Sequence, residues 1–435
     1  MLYGVILVAL YICIVVSPLL LVAFMRLHSP NLLVYEIARS FGLAGFVILA
    51  MQPVLAARLK WIERSFGMDV LSRFHRSMGV FVTVMMASHP ILMEFGGGQV
   101  LAISQPWYIW VGRAGLALLL IHTLISLYSK QAGYSFEQWR RIHYALAPLI
   151  IIFLFVHSLE TGDDLKLPQV QFLWVALLAA SFAAYIYHKI IVPLRLRRHL
   201  YRVADVRPEA PRVWTVKLAP AEGGAVYSYQ PGQFHFITFL RDPDLPVEEH
   251  HWTISSSPAQ KEFISSTIKE SGDFTATIGQ TKTGDLALVQ GPFGRFSYNL
   301  YPREKDFVFI AGGIGITPLM SMLRYMRDTK ADVDVLLLYA NRTEKDIVFR
   351  TELDAIEAGE EPRLKVVHIL SDPEPGWHGE TGYVDHEKIG RLVTGNLPER
   401  AFYVCGPPAM STKVIEALLG MGVPYARIHT EIFSL

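Results

Sequence analysis

Only two cysteines, Cys13 and Cys405, occur in the 435 residues of this chain. They lie far apart, and one sits inside an apolar run. A disulfide framework is therefore not expected, and a cysteine-rich metal site and a four-cysteine iron–sulfur cluster are excluded. A charge imbalance is lacking too, since 40 Lys and Arg stand against 39 Asp and Glu for a formal net charge of +1. No nucleic-acid partner is expected, because the chain offers it no electrostatic attraction. The sequence also lacks repeats, low-complexity tracts and an EF-hand calcium loop.

The first 200 residues instead carry long apolar runs, whereas the remainder has the pattern of a soluble α/β or β-plus-α/β protein. Six spans are predicted at roughly 2–25, 33–56, 75–95, 108–129, 143–159 and 170–192, most of them near the ~20 residues that cross a hydrocarbon core. No Lys or Arg precedes Arg26 and no small-residue cleavage site follows the first run, so a retained helix is expected, not a signal peptide. Arg58, Lys60, Arg64 and Arg73 follow the second span, Lys130, Arg140 and Arg141 the fourth, and Arg195, Arg197, Arg198 and Arg202 the sixth. The alternate connections offer only Arg26 and Lys166, which places both termini in the cytoplasm by the positive-inside rule.

Histidine in an apolar span is costly and marks function by default. His75 and His89 share the third span, His143 and His157 the fifth, and both pairs are 14 residues apart. That interval returns to within about 40° of one helix face, about 21 Å further along. The two spans run in the same direction. His75 therefore pairs with His143 near the inner side, among Arg73, Arg76, Arg140 and Arg141, and His89 pairs with His157 near the outer side. Two stacked irons with bis-imidazole ligation, as in two b-type haems, account for all four residues. His122 and His188 have no such counterpart and are expected to pack or to sit at an interface.

The segments FHRSMGVFVTVMMASH (74–89) and RRIHYALAPLIIIFLFVHSL (140–159) resemble the ferric-reductase-like transmembrane domain of NADPH oxidases and ferric-chelate reductases. The resemblance implies that Arg39 lies beside an outer haem where oxygen is reduced. Met93 stands where some oxidases carry a further histidine. Arg113 is a second candidate for a haem propionate.

Beyond Arg202 the pattern turns to short β-rich segments, as in a small antiparallel barrel. YQPGQFHFITF, HHWTISSSP, FISSTIKESGDFTATI and GPFGRF, in this order, resemble a ferredoxin-reductase-type FAD domain. The resemblance implies that His250, Trp252 and Thr253 hold the flavin, with Thr253 near N5. It also sets Lys269, Gly272 and Thr275 against the FAD pyrophosphate. His251-Trp252 replaces the Pro-Phe usual in the oxidases.

DFVFIAGGIGITPLMSML (306–323) reads as a buried strand, a turn with Gly312, Gly313 and Gly315, and a helix opening near Thr317-Pro318. Such a turn and helix N-terminus suit a dinucleotide phosphate. Arg342 is placed to meet a 2′-phosphate, which tilts the expectation slightly towards NADPH over NADH. The resemblance sets Cys405, Gly406 and Pro407 beside the nicotinamide and Phe433 over the flavin.

The expected protein is multidomain: a six-helix transmembrane di-haem bundle (1–194), an antiparallel β-barrel FAD domain (200–302) and an α/β Rossmann-like NAD(P) domain (303–435). It would be an integral membrane oxidoreductase, in a bacterial plasma membrane, with a cytoplasmic reductase half. It would carry electrons from NAD(P)H through FAD and two haems to oxygen, with a ferric chelate, a protein or a quinone as alternative acceptors.

Overall fold

A computed structural model describes residues 2–25, 33–98, 100–161 and 163–431. The chain forms two compact units, Met1–Pro193 and Leu194–Leu435.

Backbone in hydrocarbon must satisfy its own hydrogen bonds, and the apolar runs do so as helices. These are α1 (Leu2–Met25), α2 (Leu33–Ala56), the short α3 (Lys60–Phe66), α4 (Met68–Phe95), α5 (Trp107–Tyr128), α6 (Phe136–Thr161), α7 (Pro168–Ile186) and α8 (Val192–Arg197). One π turn, Tyr187–Ile191, joins α7 to α8. Among the described residues, six spans are long and apolar enough to cross a membrane, in the order expected. Gly67, at φ 81°, turns α3 directly into α4, a conformation open to glycine at little cost.

Helix α2 is the most enclosed span and packs on α1, α4 and α7. Phe46 stacks on Trp174 with ring centroids 5.1 Å apart. Between lipid-immersed helices, close approach and hydrogen bonds replace the hydrophobic drive. A Cβ at Gly45 would meet Met86 at 3.0 Å, so α4 lies as near as glycine permits. The hydroxyls of Thr83 and Thr123 bond at 2.8 Å across α4 and α5. Trp174 Nε1 donates to Ser158 Oγ at 2.9 Å, and Tyr185 donates to the Tyr144 carbonyl at 3.0 Å. Val84, Leu124, Phe172 and Val175 look outward, as lipid-facing positions do.

The second unit opens with six antiparallel strands: β1 (Tyr201–Ala210), β2 (Val213–Pro220), β3 (Phe234–Leu240), β4 (Glu249–Thr253), β5 (Ile264–Lys269) and β6 (Leu286–Phe293). Their order is β4-β3-β6-β1-β2-β5. The sheet is barrel-like but does not close as the expected barrel would. Its edge strands β4 and β5 meet through single contacts, such as the Ser266 hydroxyl donating to the Thr253 carbonyl at 3.0 Å, instead of a continuous ladder.

A parallel sheet follows, built from β7 (Asp306–Gly312), α9 (Ile316–Asp328), β8 (Asp334–Asn341), α10 (Arg350–Glu357), β9 (Arg363–Leu370), β10 (Glu380–Thr381), α11 (His386–Leu392), β11 (Ala401–Cys405), α12 (Pro408–Gly420) and β12 (Ile428–Glu431). Its order is β10-β9-β8-β7-β11-β12, so the winding reverses between β7 and β11. Open α/β sheets bind ligands at the carboxyl ends of the strands flanking such a reversal.

Arg324 of α9 ties the two sheets together. Its Nη1 donates to the Ser255 carbonyl at 2.6 Å, while Nε and Nη2 reach Glu352 of α10 at 2.9 and 2.6 Å. Burial pushes the Glu352 carboxyl up, but Arg324 and Arg327 outweigh it and hold the group below the usual carboxylate range. Because the folded-state value is depressed, the bridge stabilises above the ordinary carboxylate pKa and is lost as pH falls through the folded value. Arg324→Met is expected to cost about 1–3 kcal/mol, since it leaves a half-buried carboxylate with Arg327 as its remaining partner. A lower midpoint of thermal flavin release, with the deficit shrinking in acid, is the measured signature.

Candidate functional site

The outer histidine pair is seated by two matching devices. His89 Nδ1 lies 2.7 Å from the Ala38 carbonyl of α2, and His157 Nδ1 lies 2.9 Å from the Tyr108 carbonyl of α5. A carbonyl only accepts, so each Nδ1 carries the proton and each Nε2 keeps a lone pair for a metal. One helical turn beyond each carbonyl stands a glycine. A Cβ at Gly42 would meet the His89 ring at 3.1 Å, and one at Gly112 would overlap the His157 ring, 2.6 Å from Cγ. The imidazoles thus press close against neighbouring helix backbones.

The inner pair is built differently. His75 and His143 have ring centroids 6.1 Å apart and planes 65° apart. Two imidazoles sharing one metal through Nε2 require about 6 Å, given metal–nitrogen bonds near 2.0 Å. The residues therefore fit an iron between them. His143 Nδ1 is buried without a hydrogen-bond partner. His122 of α5 packs against His143 with centroids 4.5 Å apart, so it belongs to this cluster.

Arg39 follows Ala38 on α2 and pairs with Glu36 at 3.0 Å and Asp164 at 3.1 Å. A cavity of about 240 Å³ opens beside it, lined by Leu19, Val22, Glu36, Arg39, Ser40 and Leu43 among the described residues. Arg113 donates from Nη2 to the carbonyls of Val100 and Ala102, both at 2.7 Å, and lies over Trp110. Its guanidinium ties down the loop before α5.

On the barrel-like sheet, alternation along β4 puts His250 and Trp252 on one face and Thr253 on the other. The His250 and Trp252 rings bank against Phe274 at 4.3 and 6.0 Å, and His250 Nε2 meets Glu248 at 2.8 Å. Lys269 is exposed at the end of β5. The amides of Ser271 and Gly272 both donate to Thr275 Oγ1, at 2.8 and 2.9 Å, so Thr275 shapes this loop. Arg241, unremarkable in the sequence, clamps the same region through the Thr277 carbonyl at 2.9 Å and the Thr281 hydroxyl at 3.1 Å.

At the sheet reversal, Gly312, Gly313 and Gly315 lead from β7 into α9, and Cys405, Gly406 and Pro407 lead from β11 into α12. The two turns interlock: a Cβ at Gly312 would meet Pro407 at 2.8 Å, and one at Gly315 would press on the Cys405 carbonyl. Thr317 Oγ1 donates to the Ile314 carbonyl at 3.1 Å, which ties the first turn of α9 to the glycine turn, and Pro318 sits in that first turn. Two helix N-termini thus open where a phosphate would bind. Cys405 is fully buried, and burial, with Glu431 nearby, keeps its thiol protonated. Arg342, at the end of β8, meets Asp372 beyond β9 at 3.3 Å. Phe433 lies outside the described residues.

Residues 41–154 match the ferric reductase like transmembrane component, and residues 309–416 match the oxidoreductase NAD-binding domain. The chain joins a ferric-reductase-like transmembrane domain to a ferredoxin-reductase-type FAD/NAD-binding module.

The transmembrane match contains His75, His89 and His143 and stops short of His157. The reductase half resembles the glycine betaine monooxygenase reductase subunit of Pseudomonas aeruginosa (strain UCBPP-PA14), with 32% identity over 54% of this chain and 64% of that protein. It also resembles NADH-cytochrome b5 reductase 1 of Laccaria bicolor, with 35% identity over 33% of this chain and 47% of that one. The chain spans less than two thirds of the length of either relative. The flavohem-like FAD/NAD binding domain of nitric oxide dioxygenase from Vibrio cholerae O1 biovar El Tor superposes with a TM-score of 0.49 and 26% identity. That match covers 54% of this chain and 98% of that one. In this reductase module the turns at Gly312–Gly315 and Cys405–Pro407 fall inside the NAD-binding match, as does Arg342.

Proposed function

We propose that this protein is a membrane oxidoreductase that passes electrons from cytoplasmic NAD(P)H, by way of FAD and two b-type haems, to oxygen at the outer face. The matched seating of His89 and His157, which leaves two Nε2 lone pairs directed at one level of the bundle, carries this reading. FAD, when bound, supplies the conversion from the two electrons of nicotinamide to the single electrons that haem accepts. His75 and His143 would hold the inner haem, and His89 and His157 the outer. Gly312 to Pro318 would receive the dinucleotide phosphates, with Cys405 to Pro407 beside the nicotinamide. His250, Trp252, Thr253 and Lys269 would hold the flavin.

One observation favours oxygen over a ferric chelate. Asp164, which would help an acidic loop attract iron, is engaged by Arg39. The test is cytochrome c reduction by the haem- and FAD-loaded protein, with and without superoxide dismutase. Abolition of the signal by dismutase supports the oxidase. Unaffected reduction moves the function to a ferric chelate, a protein or a quinone acceptor.

NADPH or NADH is the donor, and Asp372, 3.3 Å from Arg342, would face a 2′-phosphate there. Asp372→Ser is expected to raise kcat/KM for NADPH roughly tenfold by removing a like charge, with little change for NADH. Steady-state flavin reduction with both nucleotides checks this.

A further inference from the structure

The inner site holds one imidazole more than a bis-histidine iron uses. His122 and His143 lie ring to ring at 4.5 Å with planes 35° apart, while His75 faces His143 from 6.1 Å. His122 Nε2 is buried and has no hydrogen-bond partner. A buried, unpaired polar atom of this kind calls for a group that it meets only at some times or in some states.

The register on α5 has the same periodicity as the ligand pairs. Tyr108, whose carbonyl holds the outer imidazole of His157, lies 14 residues before His122. Helix α5 therefore presents a fixing carbonyl at the outer level and a free imidazole at the inner one. His143 and His75 both lack the anchor of their outer counterparts, because their Nδ1 atoms are unpartnered where those of His89 and His157 meet carbonyls. A metal-binding histidine is normally oriented through that second nitrogen.

We propose that His122 is an alternative axial ligand of the inner haem, able to take the place of His143 opposite His75. This rests on the di-haem reading. A change of staggered side-chain rotamer moves an imidazole by several ångströms, enough to bring His122 into the space His143 vacates. The exchange breaks one iron–Nε2 bond and forms another. Both donors are neutral imidazoles, so no electron or proton is gained or lost.

The test is the haem-to-protein ratio, from the pyridine haemochrome, together with the low-spin haem spectrum of the purified full-length protein. His143→Ala and His122→Ala are each expected to keep two low-spin haems per chain, with the inner signal shifted in His143→Ala. The double variant is expected to keep one. His143→Gln repeats the test with less loss of volume, and retention of the outer haem shows in each case that the bundle has folded. A single haem in both His143→Ala and His143→Gln would overturn the proposal. Fewer than two haems in the unaltered protein would remove the di-haem reading itself.

Discussion

His157→Ala is expected to lower the haem content from two per chain to one and to slow electron delivery to an external acceptor at least ~100-fold. Reduction of FAD by NADH should proceed as before. The size of the effect follows from how His157 is held. Its Nδ1 is tied to the Tyr108 carbonyl at 2.9 Å and its ring lies on Gly112, and among the described residues no further imidazole stacks on it. This contrasts with His143, beside which His122 waits. Gly112→Ala should give a graded form of the same defect. The added methyl would overlap the ring, turning His157 from its carbonyl and weakening outer-haem binding about 10- to 100-fold, the usual range for loss of ligand support. The paired readouts are the haem ratio, which should fall, and stopped-flow flavin reduction, which should not. A fall in both would place His157 in the stability of the whole chain, not at an electron-transfer centre.

What could be read from the sequence follows from which distances are local. The six spans, the 14-residue intervals of the histidine pairs and the glycine turn between β7 and α9 are set by residues close along one element, so periodicity and spacing revealed them. His122 is different. Its place at the inner site depends on the rotation of α5 against α6, which one helix alone does not encode. Gly42 and Gly112 escaped notice for the same reason, since glycine in a span is unremarkable until another helix lays a ring on it. Arg113 drew attention as a candidate for a haem propionate, yet its partners are carbonyls of a preceding loop that has no regular pattern. The strand pattern implied a barrel, whereas the seam between β4 and β5 depends on contacts such as that of the Ser266 hydroxyl, which no alternation signals.

Gly315→Ala is expected to abolish nicotinamide-dependent reduction of FAD, by at least ~100-fold in kcat/KM, and to destabilise the reductase module by roughly 1–3 kcal/mol or more through overpacking. Conformation is not the reason, because Gly315 has φ −61°, which alanine adopts freely. Space is the reason. A Cβ there would lie 2.6 Å from the Cys405 carbonyl carbon and 2.8 Å from Gly406 Cα, and both are backbone atoms of a turn that cannot swing aside. Relief requires the β7 and β11 turns to part, which dismantles the paired helix N-termini proposed to receive the dinucleotide. Gly313 is the control. It has φ +53° with nothing within 4 Å of an added Cβ, so Gly313→Ala should cost only about 1 kcal/mol of left-handed strain and leave the packing intact. Stopped-flow flavin reduction with NADH separates the two variants. A large loss for Gly315→Ala beside a small one for Gly313→Ala assigns the effect to the interlocked turns. Equal losses would show that access of the phosphates to the glycine backbone, not the packing beneath it, sets the rate.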